Sequence, residues 1–400
     1  MGSAIDRRGL IAGLAGSGLL AGCGPRAGPG GDPQTPGSIA EVAFLAGYPK
    51  VLLQVLLGAA RLPRPVSVRG GAELYRLSYW SRTNGTPALV SGLVAVPAHG
   101  AAQGTALWMH GTNTNRAGSI SAPSLNEGIT AAAVFAGGGY LMLAPDLLGL
   151  GVSRAVQAYY YNPSTIAVTL DFLTAARRFV AGLGRAWTPD LYIAGFSQGG
   201  HSSAVMHREL ERRADPTLRV RASAPISGAY NLADISIPFA MRGRSVEDST
   251  YLAAWALSYA TYYRRPLAEV LQPRYAASVT RLLDGDHTAD IKTALPATPR
   301  SLFTPEFLAA FDAGQPHWLM DGARANEAYA WAPRAPLRAH YGGRDVDVPA
   351  EDTLAFVAEA GRRGGLAEAV NVGPYDHNAT VFHAAPAIRA WFDQLSAQKT

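Results

Sequence analysis

The sequence predicts an α/β fold: a mostly parallel, eight-stranded sheet with helices on both faces and a helical cap inserted late in the chain. Three observations predict it. From Thr105 onward, strand-like apolar runs alternate with segments of helical spacing, the rhythm of parallel strands joined by crossover helices. A glycine-flanked serine, in Gly195-Phe196-Ser197-Gln198-Gly199-Gly200, stands between one such strand and one such helix. Between residues 231 and 332 the alternation stops and aromatic residues recur at helical spacing instead.

Composition agrees with a large folded core. Of 400 residues 48% are hydrophobic and only 16% charged, which excludes a disordered chain. The net charge of +5 comes from arginines scattered along the sequence, the only lysines being Lys50, Lys292 and Lys399. No basic run interleaved with aromatics occurs, so nucleic acid is not an expected partner.

Residues 1–23 read as a leader. Arg7-Arg8 precede an uncharged stretch from Gly9 to Gly22, too short to span a bilayer and shaped like a signal-peptide core. Asp6-Arg7-Arg8-Gly9-Leu10-Ile11 resembles the twin-arginine export signal, with Asp6 in place of the usual Ser or Thr. Leu20-Ala21-Gly22-Cys23 resembles the lipobox of bacterial lipoproteins, in which cleavage precedes the cysteine and its sulfur is acylated. Cys23 is the only cysteine, so no intramolecular disulfide can form. These resemblances imply an exported protein, lipid-anchored at the bacterial cell envelope. Residues 24–38, rich in Gly and Pro, read as a tether.

The core is expected in two parts, 39–230 and 333–400, around a cap at 231–332. Residues 39–61 carry Val42, Leu45, Val51, Leu53, Val55 and Leu56 at spacing that predicts an amphipathic helix. Leu74 to Trp80 and Leu89 to Val96 read as two strands of a hairpin, because Asn84-Gly85 between them signals a tight turn. Further strands are expected at Thr105 to His110, Tyr140 to Asp146, Leu191 to Phe196, Val220 to Ile226, Leu337 to Gly342 and Ala367 to Val372. Helices are expected at Ser124 to Ala136, Ser164 to Leu183, Gln198 to Arg213, Ala350 to Arg363 and Ala384 to Leu395.

The chemistry centres on Ser197. A G-x-S-x-G run between a buried strand and a helix is the nucleophile elbow of the α/β-hydrolase fold. Its serine occupies a sharp turn that lifts the hydroxyl off the sheet, and the flanking glycines leave room for the neighbouring strand and helix. A serine hydroxyl needs a base to take its proton, and in this fold the acid and the histidine follow the serine, each after a late strand. Asp345 comes first after the turn Gly342-Gly343-Arg344, with Asp347 as its competitor or as a cap for the next helix. His377 lies in the expected loop Gly373-Pro374-Tyr375-Asp376-His377-Asn378, with His383 as the alternative. Oxyanion donors are expected from the backbone N–H groups of Gln198, directly after the serine, and Thr112, in His110-Gly111-Thr112-Asn113. His110 and Asp146 are read as structural. No Cys/His or His-Glu-x-x-His spacing occurs, so no metal or cofactor is expected.

Three runs together resemble the secretory lipase family, which includes fungal lipase A-like enzymes and bacterial esterases. They are Met109-His110-Gly111-Thr112, Ala144-Pro145-Asp146-Leu147-Leu148-Gly149-Leu150-Gly151, and Gly195 to His201. The resemblance extends to Asp345 ahead of Val348-Pro349 and to His377 ahead of Trp391-Phe392. It departs at Phe196, where a tyrosine is frequent, and in the cap. It implies Ser197, Asp345 and His377 as a triad and a carboxylic ester or lipid as substrate. Two other readings share these residues or this architecture: an acyltransferase or polyester depolymerase, and an inactive lipid-binding surface lipoprotein.

Overall fold

The structure, a computed structural model, describes residues 34–60, 62–124, 126–287 and 291–398. The expected signal peptide, Cys23 and most of the tether lie outside the described residues. The tether stops short of its expected end: Gly37 and Ser38 are buried, and the Gly37 N–H donates to the Trp80 carbonyl at 2.8 Å.

One sheet holds nine strands rather than eight. In chain order they are β1 (Ile39–Tyr48), β2 (Ala72–Thr83), β3 (Thr86–Pro97), β4 (Thr105–Met109), β5 (Leu141–Pro145), β6 (Asp190–Phe196), β7 (Arg219–Ile226), β8 (Leu337–Tyr341) and β9 (Ala367–Asn371). The additional strand is β1, which replaces the first half of the helix that the spacing of residues 39–61 predicts. That apolar spacing spans two different elements, broken at Pro49. Proline biases the preceding Tyr48 toward extended backbone, and Pro49 itself caps helix α1 (Lys50–Ala59). β1 then pairs antiparallel with β2 from Ile39↔Tyr79 to Tyr48↔Ala72, with two register shifts.

The remaining helices of the core are α2 (Glu127–Phe135), α3 (Asn162–Gly182) and α4 (Gln198–Arg213). Between β7 and β8 come α5 (Ile237–Ala240), α6 (Asp248–Tyr262), α7 (Pro273–Leu282), α8 (Ile291–Ala294), α9 (Pro305–Asp312) and α10 (Trp318–Ala325). The last two are α11 (Ala350–Arg362) and α12 (His377–Ala397). Strand order is β1-β2-β3-β5-β4-β6-β7-β8-β9, with β4 through β9 parallel and β1, β2 and β3 joined antiparallel at one side. Because β5 lies to one side of β4 and β6 to the other, the order reverses at β4. In open α/β sheets the crevice at such a reversal, beyond the strand C-termini, is where ligands bind.

Alternation along the central strand shows how the layers form. In β6, Tyr192 and Ala194 face the layer of α1, α2 and α12, while Leu191 and Ile193 face α3 and α4. All four are at most 1% exposed, so this strand is covered on both faces. Among the described residues of 231–332 there is no strand, only an isolated bridge between Leu271 and Phe303. The cap has its own apolar cluster, built on Trp255, Tyr259, Phe303, Phe307 and Leu319, which meets the core at Tyr159, Ala229 and Val348. No helix among the described residues is long and apolar enough to cross a membrane.

The first turn of the cap is fastened to α11 by Asp352. This fully buried carboxylate accepts hydrogen bonds from the Ser236 hydroxyl, the Asn231 N–H at 2.9 Å and the Tyr230 N–H at 3.2 Å. Burial outweighs these donors and pushes its pKa from 3.8 up to about 7. The folded chain therefore binds a proton that the unfolded chain has lost between about pH 4 and 7, so this group's contribution to stability falls as pH rises through that window. Asp352→Asn should flatten the decline of melting temperature across it. A wild-type slope in the variant would show that Asp352 does not titrate there.

Candidate active site

The structure places Ser197 at the C-terminal end of β6, as the N-cap of α4, with φ 57° and ψ −118°. Positive φ is strained for a residue with a side chain, costing about 1–3 kcal/mol. Packing enforces it. A Cβ on Gly195 would lie 2.3 Å from the Gly199 carbonyl oxygen, one on Gly199 1.9 Å from the Met109 oxygen, and one on Gly200 2.5 Å from the Ile226 oxygen. Only glycine fits at these three positions, so β4, β6, β7 and α4 close on the serine from all sides. The helix N-terminus beneath it favours negative charge.

Two side chains distant in sequence meet the serine. The Ser197 hydroxyl lies 2.9 Å from His377 Nε2, and His377 Nδ1 lies 2.8 Å from Asp345 Oδ2. The second carboxylate oxygen accepts the N–H groups of Val348 at 2.9 Å and Asp347 at 3.0 Å, so both oxygens of Asp345 are occupied. The His377 and Asp345 side chains are 5% and 1% exposed, which keeps bulk water from competing for these contacts. His377 does not sit in a loop as expected. It is the first residue of α12, and the Asp376 side chain caps that helix by accepting the Ala379 N–H at 2.8 Å. The imidazole rests against Phe196, with ring centroids 4.7 Å apart.

The alternatives go elsewhere. His383 stacks on Tyr375 at 3.5 Å. Asp347 does not cap α11, whose N-cap is Pro349. It reaches up to the cap instead, where its Oδ1 accepts the Ser245 hydroxyl at 2.8 Å and the Tyr251 hydroxyl at 3.3 Å. Nearby Asp248 is pushed up to about 6, chiefly by burial, with the Asp347 carboxylate adding to it. Among the described residues, Asp345, Asp347 and His377 form the one grouping with metal-ligand donors close together. Its imidazole nitrogens already face Asp345 and Ser197, so the donors serve one another.

Of the two expected oxyanion donors, Gln198 directly follows the serine as the first residue of α4, and Thr112 lies just beyond β4, the strand paired with β6. The parallel pairing of β4 with β6 runs to Met109↔Gly195, three residues ahead of Thr112 and of Gln198. Among the described residues neither backbone N–H has an acceptor. The Thr112 segment is held from behind by Glu127, which accepts the Gly111 N–H at 3.2 Å and the Trp108 indole N–H at 2.7 Å. Burial raises the Glu127 pKa against those two bonds. His110 and Asp146 play the structural parts expected of them. His110 spans the Gly111 and Asp146 carbonyls, at 2.7 and 2.9 Å. Asp146 accepts the Ser121 N–H at 2.9 Å and the hydroxyls of Ser91 and Ser121.

Sequence reasoning missed Glu127, Tyr159 and Tyr251. Glu127 follows the helix-capping Asn126, a first-turn acid whose solvent-facing alternative looks equally good in sequence. Tyr159 belongs to the run Tyr159-Tyr160-Tyr161 ahead of α3, where nothing in the spacing says which ring faces the site. Its hydroxyl lies 2.9 Å from Thr112 Oγ1. Tyr160 has φ 51° and packs edge-on against His201 at 4.9 Å. Burial lowers the His201 pKa to about 4, so that ring is neutral near pH 7.

No family model matches the chain, and no curated protein matches it. Solved structures do. A Legionella pneumophila protein described as a hydrolase is similar over 90% of this chain and 99% of its own, at 25% identity and TM-score 0.82. The rice cell wall degrading esterase LipA from Xanthomonas oryzae, in a ligand-bound form, covers 92% of this chain and 100% of its own at 24% identity and TM-score 0.80. Candida antarctica lipase A covers 92% of this chain and 83% of its own at 13% identity and TM-score 0.66. Over most of its length, then, the chain has the α/β-hydrolase fold in the form carried by bacterial esterases and lipase A.

Proposed function

We propose that the chain is a serine carboxylic-ester hydrolase working through an acyl-enzyme. One observation carries the reading: Ser197, His377 and Asp345 form an unbroken hydrogen-bonded line of 2.9 and 2.8 Å at the strained turn after β6. In this reading His377 Nε2 takes the serine proton as Oγ attacks the ester carbonyl. Asp345 fixes the tautomer and faces the imidazolium that forms. The N–H groups of Thr112 and Gln198 receive the charge that develops on the carbonyl oxygen. The imidazolium then protonates the departing alcohol, and a water activated by the same ring releases the acid.

The leader motifs ahead of the described residues support an exported, membrane-held protein anchored through an acylated Cys23. One experiment tests both halves. A fluorophosphonate probe should label Ser197, and the labelled protein should pellet with membranes when expressed in a bacterium that processes lipoproteins. Cys23→Ala should move the label to the soluble fraction. A wild-type protein that the probe leaves unmarked would sink the hydrolase reading; a pellet unchanged by Cys23→Ala would sink the anchor.

A further inference from the structure

We infer that the outward face of α1 docks on the anionic bilayer that holds the anchor, so that the folded chain rests on lipid along one defined side. The inference rests on the anchored reading of Cys23 and goes beyond it: an anchor limits distance, whereas a docking face fixes orientation.

The helix is apolar on two sides. Lys50 and Gln54 carry its only polar side chains. Leu53 and Leu57, at 0% and 7% exposure, face the core. At helical spacing Val51, Leu52, Val55 and Ala59 fall on a second stripe, turned away from that pair. Val51 is 69% exposed, Val55 54% and Leu52 42%. An ordinary surface helix turns charged and polar residues outward instead. Phe44, also exposed, packs on Tyr75 at the other face of the sheet and is no part of the stripe.

Charge near the stripe has one sign. Between Glu41 and Glu73 the sequence holds no acidic residue, while it holds Lys50, Arg61, Arg64 and Arg69. Arg69 pairs with Asp393 at 3.3 Å. Lys50 and Arg64 are exposed, and among the described residues neither has an ion pair. Apolar side chains accompanied by cations are what an interfacial helix presents to anionic headgroups.

Reach and area select the occupant. α1 begins beyond Tyr48, at the end of β1 far from Gln34, the first described residue. The ten residues of β1 cover roughly 33 Å, and the eleven from Gly24 to Gln34 span at most about 40 Å. A lipid on Cys23 can therefore lie beside α1. A stable contact between separate proteins takes roughly 20–30 residues a side, far more than this stripe supplies. A surface already held within reach needs much less, because the tether makes the second contact intramolecular. The pairings Tyr48↔Ala72, Ala72↔Pro97 and Ala95↔Met142 set Tyr48 near the start of β5, whereas Ser197 follows the end of β6. α1 thus starts at the opposite end of the parallel strands from the serine.

The test uses the full lipoprotein, purified from a bacterium that processes lipoproteins and reconstituted in vesicles of equal parts phosphatidylcholine and phosphatidylglycerol. A lipid-bound Cys23 sulfur does not react with bimane, so the label goes to an introduced cysteine alone. Val55→Cys reports on the stripe; Leu366→Cys, exposed beside β9 at the opposite edge of the sheet, is the control. An interfacial helix sinks its apolar face into the headgroup and upper acyl region, so acyl-chain nitroxides should quench bimane at 55 at least about threefold more than at 366. Adding Val51→Glu should bring quenching at 55 down to the control level. An acid in the first turn favours the helix, so this change does not threaten the fold. Equal quenching at both positions would overturn the inference, as would quenching at 55 that Val51→Glu leaves intact. A label at 55 shielded by protein density on the vesicle, and untouched by lipid nitroxides, would give the face to a second copy and overturn it too. Bimane taken up by Cys23 in the wild type would remove the anchored reading and this inference with it, and would leave the ester-hydrolase reading standing.

Discussion

Ser197→Ala is expected to abolish ester hydrolysis, with kcat falling by on the order of 10⁴–10⁶, while the protein melts within a few degrees of wild type. The size of the loss follows from the way the groups act together. Without Oγ, the imidazole has no proton to take, and the Asp345 bond that orients it aligns a ring with nothing to activate. In the proposed mechanism, what would remain is the pull of the Thr112 and Gln198 N–H groups on a carbonyl attacked by water. Stability should barely move. Alanine tolerates φ 57° no worse than serine, and the Ser197 hydroxyl makes one hydrogen bond, worth about 1 kcal/mol. Hydrolysis of p-nitrophenyl butyrate by purified wild type and variant, with circular-dichroism melts of both, checks this. Ordinary activity in the variant would remove Ser197 from the mechanism.

The second large effect is on stability. Gly199→Ala should cost at least about 3 kcal/mol and should often yield no folded protein. The added Cβ would stand 1.9 Å from the Met109 oxygen, 2.4 Å from its carbon and 2.7 Å from the His110 oxygen. These are backbone atoms of the central strand and its C-terminal turn, and no rotamer change moves them aside. Relief requires α4 to lift off β4, which would also shift Ser197, the N-cap of α4. Gly361→Ala is the control. That glycine lies near the end of α11, and an added methyl there would meet nothing within 4 Å, so alanine should stabilise by about 0.5–1 kcal/mol. Denaturant melts of the two variants should move in opposite directions. A Gly199→Ala midpoint at the wild-type value would mean the elbow is not packed as described.

Much of this site is legible in the sequence because its parts obey local rules. Asn84-Gly85 announces the hairpin, and the buried runs of β4 through β7 are short, apolar and bounded by turn residues. The elbow's glycines are demanded by contacts that any α/β-hydrolase-fold chain must make. Asp345 and His377 follow from chain order once the elbow is found. The errors fall where one pattern fits two structures. Val42, Leu45, Val51 and Val55 suit a single helix as well as a strand followed by a helix. Pairing with β2, from Ile39↔Tyr79 to Tyr48↔Ala72, settles the matter and leaves no trace in the local spacing. His377 reads as a loop residue because it follows Gly373-Pro374 so closely, yet Asp376 is a good N-cap and starts the helix at His377, seven residues before the expected Ala384. Asp347, Tyr159 and Tyr251 act across the seam between core and cap, and contacts across a seam have no periodicity to read.

The Asp347 carboxylate ties the cap to the turn that carries Asp345. Its own peptide N–H holds one oxygen of Asp345, while its side chain is gripped from above by Ser245 and Tyr251. Prying up residues 245–251 would therefore tug on the very peptide that steadies the Asp345 carboxylate. In the proposed mechanism, lifting residues 245–251 and keeping Asp345 aligned on His377 would work against each other.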